Sequence, residues 1–318
     1  MNCPGCGGEM DELTVCPACG ALKQDNENEI TAKINTEELV REWQRRADKA
    51  RGVRVLTALG AKTDLGCIRE NNEDKFEFFI PEDEGRLAVK GSFYAVADGM
   101  GGHAAGQIAS ELALKNTIKF YYSDPSPLLE ESLREAIQRA NALIFDTARA
   151  VPDRSGMGTT MTALVIRGEE AYIAHVGDSR CYRVREDEIK QITEDHSWVN
   201  EQVKRGGLSA EEAANSPYRN VITRSLGSSP CVDVDVFREQ LLVGDIFLLC
   251  SDGLSGEVND EEMRDVVLRR SPSEAAYELV ELALDHGGHD NVTVLIVAVR
   301  DIIRKRKRNG LRGLLARS

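Results

Sequence analysis

Short apolar runs and alternating stretches recur between residues 53 and 300 and predict β-strands. The predicted strands cover residues 92–97, 159–166, 171–176, 180–184, 189–192, 246–250 and 292–299. Helical periodicity predicts helices over about 103–122, 127–150, 261–269 and 273–286. The strands between 159 and 192 are separated by short turns, which predicts an antiparallel meander. Strands and helices are segregated along the chain, so we predict an α+β fold with antiparallel sheet rather than a doubly wound parallel sheet.

Composition narrows the class of protein. The 318 residues carry a net charge of −13 and are 42% hydrophobic, which allows a packed core and argues against a surface that binds nucleic acid throughout. We expect no transmembrane segment, because no apolar run approaches the length of a membrane span, and the N-terminus lacks the pattern of a secretory signal. A cytoplasmic protein is the expectation. In that compartment the isolated cysteines 67, 181, 231 and 250 are predicted to be small buried apolar residues.

Four further cysteines form two copies of one short motif at the N-terminus, each with a proline after the first cysteine and a glycine after the second. The pairs are Cys3 with Cys6 and Cys16 with Cys19. Two such pairs match a tetrahedral Cys₄ zinc site, with disulfides or free thiols as the less favoured interpretation. Four thiolates leave no open position on the metal, so we expect a structural or protein-binding zinc ribbon rather than a catalytic zinc.

Motif and composition together predict the domain organisation. We predict a zinc ribbon over residues 1–22, a linker with a short helix over 23–54, a main domain over 55–300 and a basic tail over 301–318. The linker helix has an apolar stripe that docks on the main domain or on a partner; the first is favoured. For the tail we favour a solvated segment or contact with the acidic body of the protein. Weak contacts with anionic lipid, nucleic acid or an acidic partner are the alternative.

Three aspartates fall at the edges of predicted strands, and two of them, Asp98 and Asp252, precede a glycine. Asp98 and Asp252 follow apolar runs, and Asp290 precedes one. If these strand ends share one side of a sheet, the carboxylates converge, and converging carboxylates repel unless a cation lies between them. Ligation by oxygen alone favours magnesium or manganese. The plainer interpretation is that each Asp-Gly pair is only a turn. Upstream, Arg69 lies near Glu73 and Asp74 in a segment that suits phosphate binding.

Several segments in order resemble the protein phosphatase 2C family of metal-dependent phosphatases, in its bacterial form. They are 69–74, 98–103, 158–160, 177–180, and 251–254 with 290–291, and the resemblance covers about residues 55–300. It implies two antiparallel sheets in a sandwich with helices on both outer faces, and metals at one end. It also implies that residues 196–227 form the family's mobile flap, although an ordinary surface insertion fits the same sequence.

The resemblance also implies roles for individual residues. Asp98 would bridge two Mn²⁺ or Mg²⁺ ions, with Gly99 (through its carbonyl), Asp252 and Asp290 as the other direct ligands. Glu73 and Asp74 would hold metal-bound waters, and Arg69 would bind the phosphate. Asp178 would belong to a third, weaker metal site, which is less certain because Gly256 stands where some relatives have an acidic ligand. His103 lies where bacterial relatives place a histidine; a role as general acid and a purely structural role are both open.

The function predicted is a phosphoserine and phosphothreonine protein phosphatase in which a metal-activated water attacks phosphorus in line. Its partners would be phosphorylated proteins, with a serine/threonine kinase and its substrates added by family analogy. Two alternatives stay open: a catalytically silent adaptor acting through the zinc ribbon, and a phosphatase of small phosphorylated metabolites. An aspartyl-phosphate role for Asp233 and Asp235 is disfavoured, because both lie in an alternating pattern that predicts a solvated strand face.

Overall fold

The structure is a computed structural model and describes residues 52–102, 104–126 and 128–304. The predicted zinc ribbon, the linker helix, His103 and residues 305–318 lie outside the described residues, so the predictions about them are neither supported nor contradicted by it.

Strands and helices of the main domain follow one another in separate runs. The strands are β1 (Val53–Asp64), β2 (Lys75–Phe79), β3 (Ser92–Ala97), β4 (Gly99–Met100), β5 (Gly158–Thr159), β6 (Met161–Arg167), β7 (Glu170–Val176), β8 (Arg180–Arg185), β9 (Glu188–Gln191), β10 (Asp235–Gln240), β11 (Ile246–Cys250) and β12 (Val292–Arg304). The helices are α1 (Glu84–Lys90), α2 (Ala104–Ser123), α3 (Leu129–Ala150), α4 (Trp198–Lys204), α5 (Ala210–Ala214), α6 (Asp252–Ser255), α7 (Asp260–Arg269) and α8 (Pro272–Asp285).

Two five-stranded sheets carry the fold, and all their pairings are antiparallel. Sheet 1 has the order β1-β12-β11-β8-β9, and sheet 2 has the order β10-β7-β6-β3-β2. The predicted antiparallel sheet is therefore confirmed, but the single meander over 159–192 is wrong. Strands β6 and β7 pair in sheet 2, whereas β8 and β9 pair in sheet 1. The short turn after β7 carries the chain from one sheet to the other.

Alternation along the strands builds a core in layers. In β3, Tyr94 faces the space between the sheets, where it meets Phe247 of β11, and its neighbour Phe93 faces helices α2 and α3. On the far side, α7 and α8 cover sheet 1 through residues such as Leu279. The order of layers is helices, sheet, sheet, helices. Because both faces of each sheet are covered, the central strands β3, β6 and β11 are buried at nearly every position and read as apolar runs.

Several details differ from the sequence prediction. Strands β1, β2 and β4 and helices α1, α4, α5 and α6 were not predicted, and β10 was indicated only by the alternating pattern at 233–235. Strand β12 continues to Arg304, past the predicted boundary at residue 300. In β1 a register shift between Leu56 and Thr57 interrupts the alternation. Cys181 and Cys250 are buried as predicted, but Cys67 and Cys231 are exposed, because both lie in loops outside the strands. Within the described part of the chain, no helix is long and apolar enough to cross a membrane.

Candidate metal and phosphate site

Strand ends from both sheets meet at one end of the sandwich and carry the acidic residues there. Asp98 directly follows β3, whose last residue pairs with the first residue of β2, and Asp74 directly precedes β2. In sheet 1, the end of β11 pairs with the start of β8, which places Asp252 near Asp178. Asp290 precedes β12 on the same side. The predicted gathering of carboxylates at a sheet end follows directly from this register.

The backbone around Asp98 is held tightly. Its N–H donates to Thr160 Oγ1 at 2.9 Å, and its carbonyl accepts from Thr160 N and from Thr159 Oγ1, both at 2.8 Å. At Gly99 a side chain has no space, because a Cβ there would lie 2.2 Å from the carbonyl oxygen of Gly106. Glycine is thus required where the chain passes the carboxylates, and the position of Asp98 is set by backbone contacts.

Burial and mutual repulsion together disfavour the charged forms of the carboxylates in the cluster. Burial raises the pKa of Asp98 well above its usual range, and the negative charges of Asp74, Asp252 and Asp178 raise it further. Burial, followed by the charge of Asp290, also raises the pKa of Asp252. Burial raises the pKa of Asp74 to about 7 and that of Asp178 to about 8, with Asp252 contributing to both. Carboxylates crowded in this way become stable as anions only when a cation compensates them.

Unsatisfied oxygens indicate which atoms a cation could use. Asp74, Asp178 and Asp252 each have a buried Oδ1 without a hydrogen-bond partner in the structure. Together with the exposed side of Asp98, these form an all-oxygen donor set that fits a hard divalent ion. Orphaned buried carboxylate oxygens are costly, and an ion is one of the few partners that would satisfy several at once.

The carboxylates do not converge on one point as they stand. Among the described residues, no group of three histidine, cysteine, aspartate or glutamate side chains could hold a metal ion in its present arrangement. Asp290 Oδ2 instead accepts from Arg69 at 2.5 Å, and Asp98 shares a hydrogen bond with Asp252. Ligation by Asp98, Asp252 and Asp290 together, as predicted from the sequence, requires both contacts to open.

Arg69 lies at the outer edge of the cluster. Its side chain is 54% exposed, while its guanidinium binds the half-buried Asp290. Since arginine can bind two phosphate oxygens at once, an exposed guanidinium beside a metal-type carboxylate cluster matches the predicted role in phosphate binding.

Asn291 connects the loops of the site, a role that sequence reasoning missed. Its Nδ2 donates to the carbonyls of Leu65 and Asn71 at 2.9 and 3.0 Å, and its Oδ1 accepts from the N–H of Glu73 at 2.8 Å. The segment 65–73 is thereby tied to the start of β12. The position of Asn291 directly after Asp290 was the signal available in the sequence, but one asparagine does not reveal its hydrogen-bond partners.

Ser251 performs a second positioning role that was not predicted. Its hydroxyl donates to Asp74 Oδ2 at 2.6 Å and accepts from the N–H of Thr293 at 3.0 Å. Asp74, which is 1% exposed, is therefore fixed by one oxygen and keeps the other without a partner. An arrangement of this kind suits a carboxylate that orients water or a metal rather than one that forms an ion pair.

Comparison with known proteins agrees with this geometry. A family model for protein phosphatase 2C matches residues 64–205. The serine/threonine phosphatase stp of Listeria welshimeri is 40% identical over 250 residues, which cover 77% of this chain and 96% of the relative. This chain belongs to the protein phosphatase 2C family. The protein is accordingly a serine/threonine phosphatase, which is a hydrolase.

Solved structures of the family are similar over the same region. The crystal structure of the Mycobacterium tuberculosis serine/threonine phosphatase PstP/Ppp is 37% identical with a TM-score of 0.68, and covers 77% of this chain and 99% of its own. A structure of the PstP catalytic domain contains two manganese ions; it is 36% identical with a TM-score of 0.67, and covers 78% of this chain and all of its own. The predicted phosphatase 2C fold is confirmed by these similarities.

Proposed function

We propose that this phosphatase 2C member removes phosphate from phosphoserine and phosphothreonine in proteins, using two Mn²⁺ or Mg²⁺ ions held by the acidic cluster. The observation that carries the proposal is the group of buried carboxylates with raised pKa values and orphaned oxygens at one end of the sandwich. The relative whose structure contains two manganese ions supports the choice of metal. When bound, the ions would activate water and stabilise charge on the phosphate.

Different side chains of the cluster would bind the metal ions, the metal-bound water and the phosphate. Asp98, Asp252, Asp290 and the carbonyl of Gly99 would hold the ions, and Asp178 would serve a third, weaker site. Asp74 and Glu73 would orient water; Asp74 is already fixed for this by Ser251. Arg69 would leave Asp290 to bind the phosphate, which its exposure permits.

Phosphate release from a phosphothreonine peptide tests the proposal. Turnover is expected with manganese and absent with a chelator, and Asp252→Ala should abolish it while the protein stays folded. The matched control is Asp233→Ala, which changes an exposed aspartate on the same domain and should retain activity. A folded wild-type protein that releases no phosphate with any divalent metal would contradict the proposal and favour the silent adaptor. Turnover of small phosphate esters alone would favour the metabolite phosphatase.

The N-terminal cysteines support a second, smaller proposal. We infer that Cys3, Cys6, Cys16 and Cys19 hold one Zn²⁺ in a structural or protein-binding ribbon, on the basis of their spacing. Zinc content measured per chain should fall from one to none in Cys3→Ser/Cys6→Ser; a protein without zinc in the wild type would overturn this. A cytoplasmic location and a kinase among the partners stay predictions, which cell fractionation and co-purification would test.

A further inference from the structure

A buried polar network lies beneath the turn that carries Asp178, and the proposed function does not use it. His175 and His196 stack with ring centroids 4.8 Å apart, and both side chains are buried. Asp235 and Arg224 lie beside His196 and form an ion pair at 3.1 Å. The two imidazole rings are costly to desolvate, whereas the side chains of Asp235 and Arg224 at the edge of the network are 37% and 34% exposed.

His196 binds both backbone polar groups of Gly177, the N–H and the carbonyl. The N–H of Gly177 donates to His196 Nδ1 at 3.0 Å, and the N–H of His196 donates to the carbonyl of Gly177 at 2.7 Å. Because Nδ1 accepts a hydrogen bond, the proton of a neutral ring must be on Nε2. From there it is donated to Asp235 Oδ2 at 3.0 Å, so Arg224 Nη1, which lies 3.1 Å from the same nitrogen, does not donate to it. Asp235 therefore selects the tautomer that can hold Gly177.

The same histidine closes the base of the segment 197–224. Its carbonyl accepts from the N–H of Thr223 at 2.8 Å, and the N–H of Trp198 donates to the carbonyl of Val221 at 2.8 Å. Arg224, directly after this closure, donates to Asp235 Oδ1 at 3.1 Å. Both ends of the segment 197–224 therefore meet at His196. Asp235, which orients the ring of His196, also binds Arg224 at the end of the segment.

From Gly177 the contacts continue to the acidic cluster. Ser179, two residues later, bonds Thr160 through their hydroxyls at 2.6 Å, and Thr160 Oγ1 accepts from the N–H of Asp98 at 2.9 Å. The turn has little freedom to move by itself. A Cβ at Gly177, which has a φ of 115°, would lie 2.6 Å from the side chain of Thr160. A change at His196 would therefore be transmitted to Asp178 and to the backbone of Asp98.

We propose that His196, oriented by Asp235 and Arg224, is a positioning residue that fixes the turn of Asp178 and links it to the segment 197–224. The inference rests on the proposed function, in that it takes Asp178 as a metal ligand. His196 itself touches neither substrate nor metal.

The test uses the full-length protein with Asp235→Ala, Asp235→Asn and, as matched control, Asp233→Ala, an exposed aspartate two residues away. Asp235→Ala should raise the manganese concentration for half-maximal activity about 10- to 100-fold, the usual effect of losing a partner that orients a metal site. Asp235→Asn should recover most of this, because its Oδ1 still accepts from Nε2. Asp233→Ala should match the wild type.

Kinetics on two substrates separate positioning from substrate contact. A positioning role predicts that kcat falls for both p-nitrophenyl phosphate and a phosphothreonine peptide, while KM for the peptide changes little. A rise confined to KM for the peptide would show that the network serves substrate binding and would overturn the inference. If Asp235→Ala does not fold, Arg224→Gln serves as a milder second variant, because it leaves Asp235 and His196 in place. Its kcat should also fall for both substrates.

A readout without turnover distinguishes failure of this inference from failure of the proposed function. In metal-free protein, ¹⁵N NMR should show His196 neutral with its proton on Nε2, and amide exchange at Gly177 should be faster in Asp235→Ala than in Asp235→Asn. Unchanged exchange together with an unchanged manganese requirement would overturn the positioning role. Faster exchange in a protein whose wild type has no phosphatase activity would uphold the positioning role and refute the proposed function.

Discussion

Arg69 and the aspartates around it show how surroundings set the behaviour of a residue. Asp74 is fully buried and hydrogen-bonded to Ser251, whereas Asp290 is 31% exposed and bound to Arg69. The buried carboxylate of Asp74 thus suits an orienting role, whereas the partly exposed carboxylate of Asp290 can exchange Arg69 for another partner. Arg69, at 54% exposure, can leave Asp290 without a large desolvation change.

Removal of the Arg69 guanidinium should weaken phosphate binding. A hydrogen bond to a charged group contributes about 1.5–3 kcal/mol, so Arg69→Ala is expected to lower kcat/KM for a phosphothreonine peptide by roughly 10- to 100-fold. Arg69→Lys should lie between, because lysine keeps the charge and loses the paired geometry. Arg54→Ala, an exposed arginine of β1, is the control. Equal kcat/KM in Arg69→Ala and the wild type would refute this role.

Prediction from the sequence succeeded for residues whose function is indicated by the residues next to them in the chain. Asp98, Asp252 and Asp290 could be selected because each stands at the edge of a predicted strand, and Asp98 and Asp252 also precede a glycine. His196 and Asp235 could not, since their partners come from distant parts of the chain. Asp235 was expected on a solvated strand face, but it binds His196 and Arg224; only Asp233 is exposed as predicted. Long-range hydrogen bonds leave no periodic signal in a sequence.

At the scale of elements, the crossing between β7 and β8 decides where the site forms. The strands of the core, such as β3, β6, β7 and β11, were predicted because runs of apolar residues report burial, whereas β1 and β2 were missed. Assignment of strands to sheets was not predicted correctly, since a short turn can close a hairpin or pass between stacked sheets with the same residues. Here the glycine at 177 lets the chain cross at the end that bears the carboxylates, and this brings Asp178 into the cluster.

Lys90 links α1 to the connection between α2 and α3 and should make stability depend on pH. Its ammonium donates to the carbonyl of Ser126 at 2.9 Å and to Ser132 Oγ at 2.8 Å, and lies 3.8 Å from Asp124. Burial lowers the pKa of Lys90 from 10.5 to about 8. Between these values the unfolded chain binds more protons than the folded one, so the free energy of unfolding should rise with pH.

Denaturant unfolding at pH 7 to 10 checks this. Relative to the wild type, Lys90→Met should lose the upward trend between pH 8 and 10, whereas Lys190→Met, which changes an exposed lysine of β9, should retain it. Below pH 8 Lys90 is charged in both states, so there it contributes no slope. A pH trend that is the same in Lys90→Met and in the wild type would rule out Lys90 as its source.

At the scale of the whole molecule, two sheets bring carboxylates from segments far apart in the chain to one end of the sandwich. In a chain of net charge −13, such a concentration of buried acids is not explained by solubility or by packing. Burial, followed by repulsion between the carboxylates, raises the pKa values of Asp74 and Asp178, and each has one buried oxygen without a hydrogen-bond partner. The proposed function therefore requires divalent cations at this end, which Asp98, Asp252 and Asp290 would hold.

Electron paramagnetic resonance during a manganese titration tests that claim most directly. Two Mn²⁺ ions per chain with an exchange-coupled signal are expected, because two ions held in one carboxylate cluster would lie close together. Asp98→Ala should lose the coupled signal, and Asp233→Ala should keep it. Manganese bound only as isolated ions in the wild type, with a spectrum that Asp98→Ala does not change, would contradict the account.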